Sequence, residues 1–382
     1  MGHTLIFDSK LSGHHLEYLS HLWRICETKE DGFSFFLVPR SFAQKREMIG
    51  LSDFKTIKLV YLTDSECSCC NTGSIIKRAW FISKTISKYA SSLSASKVFL
   101  VSIIDCLPFL PFLLRKGIQV SGIIYGIYLY SWKSSSLVKK IENAIKYSLF
   151  ARSRVFHTVF ILNDSASARR LNALYRTDKF RYLTDPYLPV SRDETISIRK
   201  EYGISEDKLL FIHFGSLSVR KGTMVILDSL ELLSEVDIDK YAFVFAGRIP
   251  GGIKDLFYSR LEDVKKKGVQ VSIIDSFCEY SFLGELCFEC DAILIPYLDT
   301  ARSSGIIGYA SQYNKPVIGP SSGLVGRLIR RYHLGYCVKQ TDMNCLYEAY
   351  HYIDTHRTSF RSSEYTISHT IKSFSEEVAF VL

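Results

Sequence analysis

Short apolar runs recur along this chain, each cut off by glycine or a polar cluster and followed by a stretch with apolar residues three and four apart. Runs bounded in this way read as buried parallel strands, and the stretches between them as amphipathic helices. In the first half the pattern predicts strands at 3–8, 33–38, 58–62, 98–104, 120–125 and 155–162. Helices are expected from about Leu16 and over 73–91, 107–116, 139–149 and 166–175. The second half repeats the rhythm, with strands at 209–214, 241–246, 269–274, 292–296 and 316–318. Its helices are expected from 220 to about 233, then at 255–267, 280–289 and 303–313, the last ended by Asn314 as a left-handed cap. Such alternation predicts an α/β protein of two Rossmann-like doubly wound domains facing each other across a cleft. The segment YLTDPYLP, 182–189, carries two prolines and reads as the linker. The expected domains are therefore 1–188 and 189–360, with 361–382 as a closing helix packing back towards the first.

One stretch organises the rest. In LLFIHFGSLSVRKG, 209–222, the apolar run stops at Gly215, a polar turn follows, and Arg220, Lys221 and Gly222 open the next helix. A glycine at a strand's carboxyl end lets backbone amides approach an anion, and a cation six residues on can close over it. The turn is expected to hold the phosphates of a nucleotide.

Composition changes the picture in three places. At 382 residues, with 47% apolar and 13% aromatic positions, the chain is long enough for two well-filled cores. Its net charge of +9 is lopsided: 1–190 hold 26 Lys and Arg against 14 Asp and Glu, while 191–382 hold 22 against 25. A basic half suggests an anionic partner, nucleic acid or an acidic bilayer. No aromatic–basic recognition motif accompanies the charge, so nucleic acid is set aside. The 73–91 helix brings Lys77, Arg78, Lys84 and Lys88 together with Trp80 and Phe81, a composition suited to an anionic membrane surface or to packing on its own sheet. Ten cysteines without paired knuckles read as free thiols of a reducing cytoplasm, and Cys287 and Cys290 as helix packing residues. The first residues form a strand rather than a signal, and 98–114 is broken by Asp105, Pro108 and Pro111, so no spanning helix is expected.

Taken in order, FIHFGSLSVRKGTMVILDSLELL, FVFAGR and the run from CDAILIPY through SSGIIGYASQYNKPVIG resemble the nucleotide-sugar-binding domain of GT-B glycosyltransferases, closest to glycosyltransferase family 4. The linker and the first loop, SGHHLEYL, share the resemblance, which extends over nearly the whole chain. It implies that Gly215 and Lys221 contact the donor pyrophosphate. The family's arginine after that glycine is Ser216 here, and Arg220 is the candidate to replace it, since a guanidinium can grip phosphate in two places. The family's two glutamates would fall at Ala301 and Tyr309. In their place Ser303, Ser304 and Gly305 open a helix whose amides and hydroxyls are expected to cradle phosphate, with Tyr309 at the ribose position. Phe277 lies where the family holds the base. Gly13 matches the loop facing the donor phosphates, and a histidine that commonly ends the family's strand at 120–125 is replaced by Tyr125.

These features imply a transferase that moves a hexose from a nucleotide diphosphate sugar to a glycan or polyprenyl-pyrophosphate-linked acceptor in bacterial surface polysaccharide synthesis. No metal or other cofactor is expected. Its place would be the cytoplasm, peripheral on the inner face of the plasma membrane. A retaining reaction is implied by the resemblance; an inverting one would need a base, for which His14, His15 and Asp105 are the candidates. A sugar-nucleotide epimerase on the same architecture and a non-catalytic nucleotide-sugar-binding protein remain as alternatives.

Overall fold

The computed structural model describes residues 2–11, 14–29, 31–132, 135–360 and 363–382. The chain forms two compact units, Met1–Asp185 with Ile371–Leu382, and Pro186–Thr370. Each is a doubly wound α/β unit built on one parallel sheet.

The first unit carries β1 (His3–Phe7), β2 (Ser34–Pro39), β3 (Ile57–Leu62), β4 (Ala95–Leu100), β5 (Gln119–Ile124), β6 (Phe156–Leu162) and β7 (Phe180–Leu183). Their order is β3-β2-β1-β4-β5-β6-β7, so the winding reverses between β1 and β4. Because right-handed crossovers on the two sides of that point place helices on opposite faces, the sheet is covered twice. One face packs the helices Ile75–Ser92, Leu137–Arg152 and Ser165–Tyr175 through Ile82, Ile86, Tyr147, Phe150 and Leu171. The other packs His14–Glu27 and the closing helix Ile371–Ala379 through Leu19, Leu22, Trp23, Phe374 and Val378. The Thr4 hydroxyl and the Lys29 ammonium both donate to the Leu382 carbonyl, at 2.5 and 2.7 Å, and pin the end of the chain.

Several expectations shift here. β4 stops at Leu100, and Asp105 sits on a 3-10 turn, Ile103–Cys106, instead of ending the strand. The 107–116 helix shrinks to Leu110–Leu113, because Pro108 holds Leu107 extended before it and Leu114 is extended after it. The linker overlaps β7, whose Leu183 pairs with Leu162 of β6, so the first unit runs to Asp185. Helices at Phe42–Met48 and Asp64–Asn71 were not expected, although Thr63 and Glu66 form a capping box in front of the latter.

The second unit carries β8 (Leu209–Phe214), β9 (Tyr241–Ala246), β10 (Gln270–Ile274), β11 (Ala292–Leu294), β12 (Val317–Pro320) and β13 (Gly335–Val338), in the order β10-β9-β8-β11-β12-β13. β8 and β9 are buried at every position, which is why both read as unbroken apolar runs. The stretch expected as one closing helix is two. Ser363–Ser368 belongs to this unit, with Tyr365 against Tyr332 at 5.3 Å and the Tyr187 amide bonded to the His369 carbonyl at 2.8 Å. Among the described residues no helix is long and apolar enough to cross a membrane.

Candidate functional site

In the second unit the winding reverses between β8 and β11, and the loops leaving these two strands meet at the sheet's carboxyl edge, where open α/β sheets bind ligands. β8 ends at Gly215, with φ +92°, and neighbouring β9 ends at Gly247, with φ +141°. A Cβ on Gly247 would stand 1.8 Å from the Gly215 carbonyl oxygen, and one on Gly215 would stand 2.6 Å from Lys221 Nζ. The two strand ends therefore close up backbone to backbone, with the lysine folded over them. Gly247→Ala is expected to cost about 2–4 kcal/mol in urea unfolding, from strain and from prising these strand ends apart.

Lys221 closes the 3-10 turn Val219–Lys221, and Gly222 follows with φ +77°. A Cβ on Gly222 would lie 2.1 Å from the Pro296 carbonyl, and the Leu298 amide donates to the Arg220 carbonyl at 2.9 Å. The turn is thus clamped against the loop after β11. The half-buried ammonium lies 5.7 Å from the centre of the Tyr297 ring and has no carboxylate in ion-pair reach among the described residues. Burial, then the Arg220 charge, pull its pKa down to about 8. Behind it, neutral His213 donates from Nδ1 to the Leu294 carbonyl at 2.8 Å and accepts the Thr223 hydroxyl at Nε2, 2.9 Å away. Burial holds this histidine's pKa near 4, so it is a structural tie between β8, β11 and the helix Thr223–Leu230.

The other expected donor residues are placed less simply. Ser216 and Arg220 are exposed, and among the described residues the Ser216 amide has no backbone acceptor. The helix expected from Ser303 begins only at Ile306, with Gly305 as its cap. Asp299 takes the Ala301 amide at 3.2 Å and lies 3.6 Å from the Arg302 guanidinium, which holds the approach as a loop. The Ser304 hydroxyl is buried against the Tyr297 hydroxyl at 3.0 Å, so it braces the loop, while Ser303 is half-buried and Gly305 exposed. Tyr309 packs edge-on against Phe214 at 5.6 Å and lies 6.3 Å from Tyr187. Phe277 is 71% exposed on the loop after β10, two strands from Gly215. Asp275 anchors the start of that loop, accepting the Ile249 amide at 2.8 Å and Lys254 at 2.7 Å.

The first unit gathers a second set of groups at its own carboxyl edge. β1 delivers Asp8, which is buried and accepts the Lys10 amide at 2.9 Å and His15 Nδ1–H at 2.6 Å. Burial raises the Asp8 pKa, and the bond to His15 offsets part of that. The bond orients the ring and leaves Nε2 as its proton acceptor. Lys10 pairs with Asp105 at 3.1 Å. Tyr125, just past β5, stands 6.1 Å from the His15 ring and 5.5 Å from Tyr18. Its hydroxyl is buried with no hydrogen-bond partner among the described residues. Gly13 and the side chain of His14 lie outside what the structure describes.

The predicted residues thus fall on two sheet edges, one in each unit, and several of their partners were missed from sequence. Asp8 was legible as a carboxylate ending the first strand, and Tyr297 as the aromatic closing IPY; neither carries a motif of its own. His213 sits inside an apolar run, where nothing distinguishes it.

No family model matches the chain, and no curated protein does. Solved structures do. Anabaena HepE in complex with UDP and glucose is 15% identical, with a TM-score of 0.70 over 100% of this chain and 99% of that one. WaaG, a glycosyltransferase involved in lipopolysaccharide biosynthesis, is 14% identical, with a TM-score of 0.69 over 99% of each chain. Sucrose-phosphate synthase from Thermosynechococcus elongatus is 10% identical, with a TM-score of 0.73 over 99% of this chain and 97% of that one. At these identities the likeness is one of fold: the chain has the two-Rossmann GT-B architecture.

Proposed function

We propose that the protein is a nucleotide-sugar-dependent glycosyltransferase, moving a hexose from a nucleoside diphosphate sugar to a glycan or lipid-linked acceptor. The observation that carries this reading is Lys221, a half-buried ammonium without a counter-ion among the described residues, set over paired glycines at two strand ends. Such a cation gains most from an anion that fills the place of the missing carboxylate. A diphosphate has the charge to do so, and charge growing on a leaving diphosphate would be stabilised there. The UDP and UDP-glucose bound by HepE support the same ligand class. The reaction is read as retaining, since the leaving phosphate can itself accept the acceptor's proton, and as metal-free. Its setting is read as bacterial surface polysaccharide synthesis at the inner face of the plasma membrane.

Inversion is the second reading, favoured by the buried Asp8 behind His15, an arrangement that makes a ring nitrogen available as a base. Thermal melts with UDP, GDP and ADP beside the matching monophosphates test the common core of both. One diphosphate is expected to raise the melting point clearly more than its monophosphate; no response to any of them would sink the proposal. Incubation of the matching sugar nucleotide with and without acceptor then separates transfer from epimerisation.

A further inference from the structure

The face of the first sheet that carries Ile75–Ser92 and Leu137–Arg152 turns a series of apolar side chains to solvent. In the first of these helices Ile75 is 66% exposed and Ile76 68%, with Trp80 and Phe81 also open to solvent. In the second, Leu137 and Val138 are 72% and 74% exposed, and Ile141 and Ile145 follow on the same side. Between them in the layer lies the turn Leu110–Leu113, whose Phe112 is 75% exposed. Trp80 stands edge-on to Phe109 at 5.2 Å, which ties this turn to the first helix. All three elements pack their inner sides into one core, so their outer sides form one layer surface.

The charges on this surface are nearly all positive. Ile75–Ser92 contains no acidic residue, and in Leu137–Arg152 the only one, Glu142, is paired to Lys146 at 2.5 Å. Lys77, Lys84 and Lys139 are exposed and have no ion-pair partner among the described residues. A protein partner of ordinary composition would not need a row of unpaired lysines around isoleucine and leucine. An anionic bilayer does: its headgroups take the lysines, and the boundary beneath them takes the apolar side chains.

Direction matters as much as composition. In a parallel α/β layer each helix runs against its strands, so helix starts lie at the carboxyl edge of the sheet. The most exposed apolar residues are at those starts, the same edge that holds Asp8, His15 and Asp105. We infer that these two helices and the Phe112 turn form a docking face for an anionic membrane, and that the acceptor is borne on a lipid, met at the edge beside that face. The acceptor clause rests on the transferase reading; the docking face does not.

Flotation of the full chain with vesicles of phosphatidylcholine alone, or with one third phosphatidylglycerol, tests it. The protein is expected to float with the anionic vesicles and not with the neutral ones. A variant carrying Ile75→Ser, Ile76→Ser, Leu137→Ser and Val138→Ser is expected to lose at least tenfold in partitioning, and Lys77→Gln with Lys84→Gln and Lys139→Gln a similar amount. Both should keep the diphosphate melting-point rise of the parent, since all these positions are exposed and lie in the other unit from Lys221. Protein that stays unbound with anionic vesicles, or serine variants that float like the parent, would overturn the inference. So would dimers in sedimentation that the serine variant abolishes while no vesicle binding is seen. A protein that floats but ignores every diphosphate would keep the docking face and remove the transferase.

Discussion

Lys221→Met is expected to weaken diphosphate binding about 100-fold while making the unliganded protein more stable. The two effects have one cause. The ammonium is half-buried with no carboxylate in ion-pair reach among the described residues, and burial, then the Arg220 charge, bring its pKa to about 8 from 10.5. Removing it deletes a charge-assisted contact to the ligand, of the kind whose loss costs about 2–5 kcal/mol. Methionine fills much the same space without the desolvation cost, so about 1–2 kcal/mol of stability should be gained in denaturant unfolding. The pH dependence has opposite signs for the two quantities. The lysine's destabilising effect on the fold is fully present below pH 8 and is relieved as pH rises towards 10.5, because over that window the unfolded chain binds the proton that the folded one has released. Diphosphate affinity needs the protonated form, so it should be flat below pH 8 and fall above it. Calorimetric titration from pH 6.5 to 9.5 in parent and variant reads this directly. An affinity that Lys221→Met changes less than fivefold would remove the lysine from the site.

How far these features could be read from the sequence depended on whether the physics was local. The runs 209–214 and 241–246 are buried on both sides, so composition alone marked them, and the helix Tyr280–Glu289 was legible to the residue. β7 was not, because an edge strand of four residues next to two prolines looks like a loop until Leu162 pairs with Leu183. The turn at Gly215 was legible because a positive φ after an apolar run calls for glycine. That Lys221 has no counter-ion among the described residues was not legible, since only folding decides which carboxylates come near it. The same holds for Ser304, which reads as a free hydroxyl in sequence and proves to be bonded to Tyr297 seven residues earlier. Cys287 and Cys290 illustrate the converse: their spacing suggests chemistry, but both are buried packing residues whose thiols are made less acidic by that burial.

The inverting reading makes the second large prediction, and Asp8→Asn is its sharpest probe. With aspartate at position 8, His15 carries its proton on Nδ1 and presents Nε2 as the base. An asparagine would still reach the ring, but it can donate its own N–H to Nδ1, which forces the proton onto Nε2 and removes the lone pair that chemistry needs. If His15 takes the acceptor's proton, Asp8→Asn should lower kcat by about 10²–10⁴ with the packing intact. His15→Gln should match it, and the two together should fall no further than either alone, because they disable one device. Diphosphate affinity, which the Lys221 reading assigns to the other unit, should stay within threefold of the parent. The anomer of the product, followed by NMR during turnover, supplies the independent check: inversion is required if the dyad is the base. Retention, with Asp8→Asn costing less than tenfold, would return the proton to the leaving phosphate and leave the Asp8–His15 bond as a brace between β1 and the helix His14–Glu27.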